Sequence, residues 1–412
     1  MSAFPAHGRQ ASEIAAELAA RRAEDPEGPG TAAEVYWPVV PEEAMAAGRA
    51  ALDAYAHLNA FSTPFTPGFQ RIDRELRGAV ADLFSVPSAD CVTITAGGTE
   101  GNFLAVRSAR EWARGARPTA APTMVLPRTA HPSFDKAGLE LGVAVRRVEV
   151  LDDWRADPAA IRAAIDDDAI LVVASLPSYP HGAVDDIPAV AAVAAECGVW
   201  MHVDAAVGGF LAPHMREIDP AVPPFGGDVA GVRSITADLH KLGFCLNGIS
   251  TFTVADPDDR QWARYSADVW PRGGYVRQGF LGSRPAGVVA AAWAVVNALG
   301  RDGYGAIARD IAERQAAVAR GLEGSGAFRV VAEPRLGIMA VEPTDGTDVG
   351  ALIEALAARG WDLATNVEPP SIQIFPTPAL DVDLLLDAFA DAHRDAQGRT
   401  AGDAVGAYGE GS

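Results

Sequence analysis

The sequence predicts an α/β protein built on a mostly parallel seven-stranded sheet, with a smaller αβ unit at its C-terminal end. Three observations lead there. Between Cys91 and Ala255 short β-branched runs alternate with helical stretches, the pattern of a parallel sheet with crossover helices. Several of those runs are apolar on both faces, as strands covered by helices on each side must be. The residues able to do chemistry fall just after the runs, where open α/β sheets hold their ligands.

Taken in order, residues 1–32 read as an amphipathic helix followed by the loop EDPEGPG, a connection that joins an arm to a body. Glu34 to Val40 is short and aromatic, Ala44 to Leu58 is helical, FSTPFTPGF breaks the periodicity, and Gln70 to Phe84 resumes it. The expected strands are Cys91–Thr95, Thr123–Leu126, Val143–Val150, Ala169–Ala174, Val199–Val203, Arg233–Thr236 and Ser250–Val254. From Gly287 to about Leu322 the pattern is helical, and after GSGAF the runs FRVVAE, GIMAVEP and SIQIF with two helices form the small unit. The expected organisation is an N-terminal arm (1–60), a large domain (61–300), a small domain (301–395) and a flexible tail (396–412).

Composition limits the function. Hydrophobic residues make up 49% of 412, enough for a large core. No apolar run reaches the roughly 18 residues of a membrane helix, and the first residues lack the basic-then-apolar order of a signal peptide. A cytoplasmic enzyme is expected. The net charge of −20 argues against nucleic acid or an anionic membrane as a partner. Cys91, Cys197 and Cys245 are scattered, without the spacing of a disulfide framework or a zinc site, so no metal is expected. Cys245, four residues past Lys241, reads as a small apolar filler.

Of 34 Lys plus Arg, only Lys136 and Lys241 are lysines. An amine can lose its proton and attack a carbonyl, whereas guanidinium stays charged. In SITADLHKLGFCLNG, Lys241 follows an apolar run, which makes it a candidate Schiff-base lysine. Three companions raise it above an ordinary loop lysine. In TAGGTEGN, Gly97 and Gly98 let the backbone bend close to a ligand, and the amides from Gly98 to Glu100 open a helix, a place that favours phosphate. By itself such a turn is ordinary helix-start chemistry. His131, just past the strand TMVLP, presents an imidazole that can stack on a ring or simply cap a helix. Asp204 closes the apolar strand MHVD before Ala205 and Ala206. A carboxylate buried there needs a partner, and a pyridinium N–H is one that also turns the ring into an electron sink. Small Ala206 leaves room for that ring. His240 is placed to donate to a phosphate. Phosphate cradle, ring stacker, ring-nitrogen acid and imine lysine occur in this order in fold-type I pyridoxal 5′-phosphate enzymes.

The stretches AGGTEGN, AHPSFDKA, SLPSYPHGAVDDIPAV, HVDAAVGGF, SITADLHKLGF, WPRGGYVRQGFLGSRPAG and GWDLATNVEPPSIQI resemble the group II pyridoxal-dependent decarboxylase family, and within it the sphingosine-1-phosphate lyase-like branch. The resemblance implies pyridoxal 5′-phosphate as cofactor, with Lys241 as the imine lysine, Asp204 on the ring nitrogen, His131 stacked on the ring, Ala206 beneath it and Ser175 near the cofactor hydroxyl. Gly98, Thr99 and His240 would hold the phosphate, together with Gly282 and Ser283 from a second subunit, which implies a homodimer with sites at the interface. Tyr36, Tyr179, Asn247 and Arg284 fall on the substrate side, and Tyr275 or Tyr179 joins Lys241 in moving a proton. The chain departs from the lyases at two places. Their pattern HKYGY-x-P-K-G becomes HKLGFCLNG, so Asn247 stands for a lysine and Phe244 for a tyrosine. Their substrate-side histidine is missing near Thr66. Loss of a cation disfavours a phosphorylated amino alcohol unless Arg272, Arg277 or Arg284 compensates.

The expected activity is cleavage of a carbon–carbon bond next to an amine, through a substrate imine on the cofactor. The alternative is amino-acid decarboxylation; an aminotransferase and a non-catalytic cofactor-binding paralogue stay open.

Overall fold

A computed structural model describes residues 7–25, 41–61 and 65–401. The chain begins with α1 (Ala11–Arg22), whose side chains are all at least partly exposed and whose Glu17 pairs with Arg9 and Arg21. The expected helix is there, but it buries no residue on this chain. Next come α2 (Glu42–Ala54) and α3 (Pro67–Leu83).

The large sheet is formed by β1 (Val92–Thr95), β2 (Thr123–Pro127), β3 (Ala144–Val148), β4 (Ala169–Ser175), β5 (Trp200–Asp204), β6 (Ser234–Ala237) and β7 (Ser250–Val254). Between them lie α4 (Gly98–Ala116), α5 (Ser133–Leu141), α6 (Pro158–Ala164), α7 (Ile187–Cys197) and α8 (Ala212–Arg216). The strand order is β1-β7-β6-β5-β4-β2-β3, and only β7 runs antiparallel to its neighbours. All seven expected strands are present, with ends moved by a residue or two. The expected Val143–Val150 is the most shortened, because β3 is the edge strand and is partly exposed along its whole length. By contrast β4, β5, β6 and β7 are buried at every position, which explains their unbroken Val, Ile and Ala runs. Asp157 and Asp186 cap α6 and α7 by accepting backbone N–H bonds from Ala159 and Ala189.

Strand register brings the distant parts of the chain together. Ser175 of β4 pairs with Asp204 of β5, and Asp204 pairs with Thr236 of β6. Three parallel strands therefore end level, and the residues that leave them share one edge.

After β7 come α9 (Arg260–Ala263) and a short hairpin, β8 (Tyr265–Ala267) with β9 (Tyr275–Arg277). The long helix α10 (Ala286–Gly324) is bent at Gly300, whose φ of 57° is left-handed. It lies on α2 through two glycines: a Cβ on Gly48 would stand 2.9 Å from Val295, and one on Gly287 would stand 2.7 Å from the Leu52 carbonyl. The small unit contains β10 (Phe328–Val330), β11 (Met339–Pro343), α11 (Val349–Ala357), β12 (Ala364–Val367), β13 (Pro370–Ile374) and α12 (Val382–Ala396). Its antiparallel sheet has the order β10-β11-β13-β12. Sequence patterning misses β12 and the β8–β9 hairpin, since both are short and largely exposed. Among the described residues no helix is long and apolar enough to cross a membrane.

The small sheet grips the loop that leaves β4. Asn366 donates to the Pro180 carbonyl at 2.7 Å, Gln373 donates to the Tyr179 carbonyl, and His181 Nε2 donates to the Glu368 carbonyl at 2.8 Å. The same loop is held from below by Asp185, fully buried, which accepts the N–H groups of Ser175 at 2.6 Å and Ala156 at 2.7 Å. Burial raises the Asp185 carboxyl to about 6, above its ordinary 3.8. The folded chain thus holds this proton more tightly than the unfolded one. The stabilisation from its binding is complete below about 3.8 and is lost as the pH rises through about 6. The parent protein is expected to lose stability relative to Asp185→Asn between about pH 4 and 6 and to change little above that, measured as the difference in thermal midpoint at each pH. A constant difference contradicts this.

Candidate active site

The level strand ends open into a cavity of about 410 Å³. Asp204 is the last residue of β5, Asp238 follows β6 directly, and the turn after it carries His240 and Lys241 to the same edge. Lys241 Nζ lies 3.0 Å from Asp238 Oδ2. His240 donates its Nδ1–H to the Ile249 carbonyl at 2.8 Å, which leaves Nε2 facing the cavity 3.8 Å from the same carboxylate. Asp238 is almost fully buried, and its Oδ1 makes no hydrogen bond.

Asp204 is 6% exposed. Its Oδ1 accepts the Ala206 N–H at 3.1 Å and its Oδ2 accepts Asn102 Nδ2 at 3.1 Å. Burial pushes this carboxyl above the usual carboxylate range, and burial likewise pulls the His131 imidazole below its own. His131 Nδ1 accepts the Ser133 N–H at 3.1 Å, which fixes the ring at the start of α5. Ser175, level with Asp204, closes one wall, and Tyr179 from the gripped loop closes another.

The third wall is the N-terminus of α4. Gly97, Gly98 and Thr99 line it, and the free amides of a helix's first turn point outward from its start. Gly98 is required by space: a Cβ there would stand 2.9 Å from both carboxylate oxygens of Asp238 and 3.2 Å from Ala206 Cβ. Glu100 turns away and accepts the Ala96 and Phe280 N–H groups at 2.8 and 2.9 Å.

Eleven of the residues singled out in the sequence therefore meet in one cavity: Lys241, Asp204, His131, Ala206, Gly97, Gly98, Thr99, Ser175, His240, Tyr179 and Asn247. Several others do not line it. Tyr275 stands on β9 beside Tyr265 and Trp270. Gly282 and Ser283 follow that hairpin, and Ser283 Oγ bonds Asn59 Nδ2 at 2.8 Å. Arg284 is drawn inward, where its guanidinium donates to the Ile94 carbonyl at 2.8 Å. Arg277 lies over the Phe61 ring at 3.6 Å, so neither arginine reaches this chain's own cavity. Tyr36 lies outside the described residues. Cys245 is buried, with its thiol pushed up by burial and directed at the Gly243 carbonyl, in keeping with an apolar filler. Phe244 is buried too and stays out of the cavity.

Sequence reading missed Asp238 and Asn102. Asp238 carries the same signal as Asp204, a carboxylate closing an apolar strand. Asn102 lies four residues past Gly98, hence on the same helix face. Among the described residues no cluster of His, Cys, Asp and Glu is arranged to hold a metal.

The pyridoxal-dependent decarboxylase conserved domain matches residues 44–342. The chain is 32% identical to the sphingosine-1-phosphate lyase of Arabidopsis thaliana over 346 residues, covering 82% of this chain and 63% of that protein. It is 30% identical to the lyase of Oryza sativa subsp. japonica, covering 79% and 61%. The chain thus spans about three-fifths of the length of these lyases. It is 31% identical to a probable L-tyrosine/L-aspartate decarboxylase of Methanopyrus kandleri, covering 79% of this chain and 87% of that protein. A solved sphingosine-1-phosphate lyase from Burkholderia pseudomallei superposes with a TM-score of 0.90 at 26% identity, covering 96% of this chain and 93% of that one. A Lactobacillus brevis glutamate decarboxylase, at 20% identity and a TM-score of 0.80, shares the fold.

Proposed function

The chain belongs to the pyridoxal-dependent decarboxylase family, and from that premise we propose that it is a pyridoxal 5′-phosphate-dependent lyase that breaks a carbon–carbon bond next to an amine. One observation carries the reading: the amine of Lys241, the buried carboxylate of Asp204 and the imidazole of His131 meet in one cavity whose third wall is a glycine-opened helix N-terminus. Those groups fit the cofactor. Gly98 lets the start of α4 pack directly against Asp238 and Ala206, which sets its free amides at the cavity wall, where a phosphate is favoured. Asp204 needs a cationic N–H partner, and a pyridine nitrogen is one.

When bound, the cofactor supplies an electron sink for the bond being broken. The chain's own residues do the rest. Asp204 holds a proton on the ring nitrogen. His131 would stack on the ring, and Ala206 is small enough to leave it room. Thr99, His240 and the α4 amides bind the phosphate. Asp238, 3.0 Å from Nζ, keeps the Lys241 amine at the cavity wall, where it would move a proton to or from the substrate. Tyr179, on the loop gripped by β12 and β13, limits water at the mouth.

Lyase cleavage is favoured by the Burkholderia structure, which matches this chain nearly end to end. Decarboxylation is the second reading, supported by the Methanopyrus relative, of which 87% is matched. Trapped CO2 from carboxyl-labelled amino acids, set against aldehyde from β-hydroxy amines, separates the two. Aldehyde without CO2 supports the lyase; CO2 without aldehyde replaces it with the decarboxylase. Asn247, at the cavity rim, is neutral where the lyases have a cation. Asn247→Lys is expected to lower KM for a phosphorylated amino alcohol by about tenfold, the effect of one charge-assisted bond; an unchanged KM removes Asn247 from the substrate side.

A homodimer completes the proposal. Val269, Trp270, Val276, Phe280 and Leu281 cluster on and after the hairpin at 42–89% exposure, an apolar surface suited to a second copy. Gly282, Ser283 and Tyr275 on this segment would then reach the other copy's cavity. The cytoplasm is the proposed compartment, in keeping with three unpaired cysteines.

A further inference from the structure

Asp204 stands at the end of a line of hydrogen bonds that runs back through the sheet. Trp200 Nε1–H donates to Ser234 Oγ at 2.8 Å. Ser234 Oγ lies 2.9 Å from His202 Nδ1, and His202 Nε2 lies 3.3 Å from Asn102 Oδ1. Asn102 Nδ2 then donates to Asp204 Oδ2 at 3.1 Å and to Ser133 Oγ at 2.9 Å. Trp200, His202 and Ser234 are fully buried and Asn102 is 2% exposed.

The direction of this line is set at its far end. An indole N–H only donates, so Ser234 accepts from Trp200 and its own hydrogen is left for His202 Nδ1. Burial pulls His202 down to about 3, so the ring is neutral with one N–H. That hydrogen sits on Nε2 and donates to Asn102 Oδ1, which turns the amide NH2 toward Asp204. Reversal would leave the Ser234 hydrogen without an acceptor in a dry interior and set the Asn102 carbonyl against the carboxylate, both costly. The donor end is itself pinned: the Arg233 guanidinium lies 3.9 Å from the Trp200 ring centre and is paired with Asp259.

We propose that Trp200, Ser234, His202 and Asn102 form a one-way hydrogen-bond relay that keeps Asp204 ionised and oriented toward the cofactor's ring nitrogen, with Asn102 as the positioning residue in contact with it. The inference rests on the cofactor reading above. The need for it is physical, because burial alone drives Asp204 toward its neutral form, which cannot balance a ring cation. The other charged or titratable groups facing Asp204 are His131, Lys241 and Asp238.

The test uses cofactor-loaded protein labelled with 15N-histidine, with the His202 signal assigned by its loss in His202→Gln. The expected spectrum shows hydrogen on Nε2 and a bare Nδ1 from pH 6 to 9. Ser234→Ala, three hydrogen bonds from Asp204, is expected to disturb that tautomer and to weaken pyridoxal phosphate binding at least about tenfold; Ser234→Thr, which keeps the hydroxyl, restores both. Hydrogen on Nδ1 in the parent, or parental cofactor affinity in Ser234→Ala, overturns the relay. Asp204→Asn is measured alongside. If it loses cofactor while Ser234→Ala does not, only the relay falls; if it too binds as the parent does, the cofactor reading falls.

Discussion

Lys241→Ala is expected to lower turnover at least about a thousandfold, the scale seen when a nucleophile is removed, and to abolish the yellow absorbance of bound cofactor. The expectation rests on how few amines the chain has. Its other lysine, Lys136, is exposed on α5, away from the cavity that Lys241 lines. No second side-chain amine can take over. Asp238, 3.0 Å from Nζ, holds the group where a carbonyl carbon would be attacked. Lys241→Arg preserves that ion pair and should be as inactive as alanine, because guanidinium stays protonated. Lys136→Arg should retain parental turnover. Substantial turnover in Lys241→Ala, measured as product formed per mole of loaded protein, contradicts the assignment.

Asp204→Ala is the second large effect, expected to reduce turnover about a hundred- to a thousandfold, as loss of one preorganised charge at a reacting site does. The carboxylate is buried at a strand end and accepts two N–H bonds, which offset part of the desolvation that pushes it toward its neutral form. Without it a bound ring nitrogen would lose its proton and the electron sink would weaken. Asp204→Asn keeps the shape and removes the charge, so it should resemble alanine in turnover. Single-turnover kinetics check this: slow bond cleavage with substrate still bound is the expected result. A variant limited only by substrate binding would instead place Asp204 outside the chemistry.

Much of this is legible in the sequence because burial leaves a composition. Strands such as Ala169–Ser175 are covered on both faces, so their runs are continuously apolar and stand out. Asp204 is readable for the related reason that a carboxylate closes such a run, and Lys241 because arginine fills nearly every other cationic position. Asp238 obeys the same strand-end rule but is masked by the adjacent His-Lys pair. The relay cannot be read at all. It joins α4, β5 and β6 across gaps of 32 and 100 residues, and only the register of β5 on β6 brings Ser234 beside His202. The hairpin from Tyr265 to Arg277 escapes sequence patterning because its exposed aromatic residues imitate a loop. Tyr275 on the hairpin and Gly282 and Ser283 after it do not line this chain's own cavity, so the role proposed for them requires a second copy.

Borohydride reduction of cofactor-loaded protein, followed by peptide mass mapping, shows which amine holds the cofactor. Reduction should fix a pyridoxyl group on the peptide that contains Lys241 and leave the Lys136 peptide unmodified. A pyridoxyl group on Lys136 alone, or on neither lysine of protein that binds cofactor, would rule out Lys241 as the imine lysine.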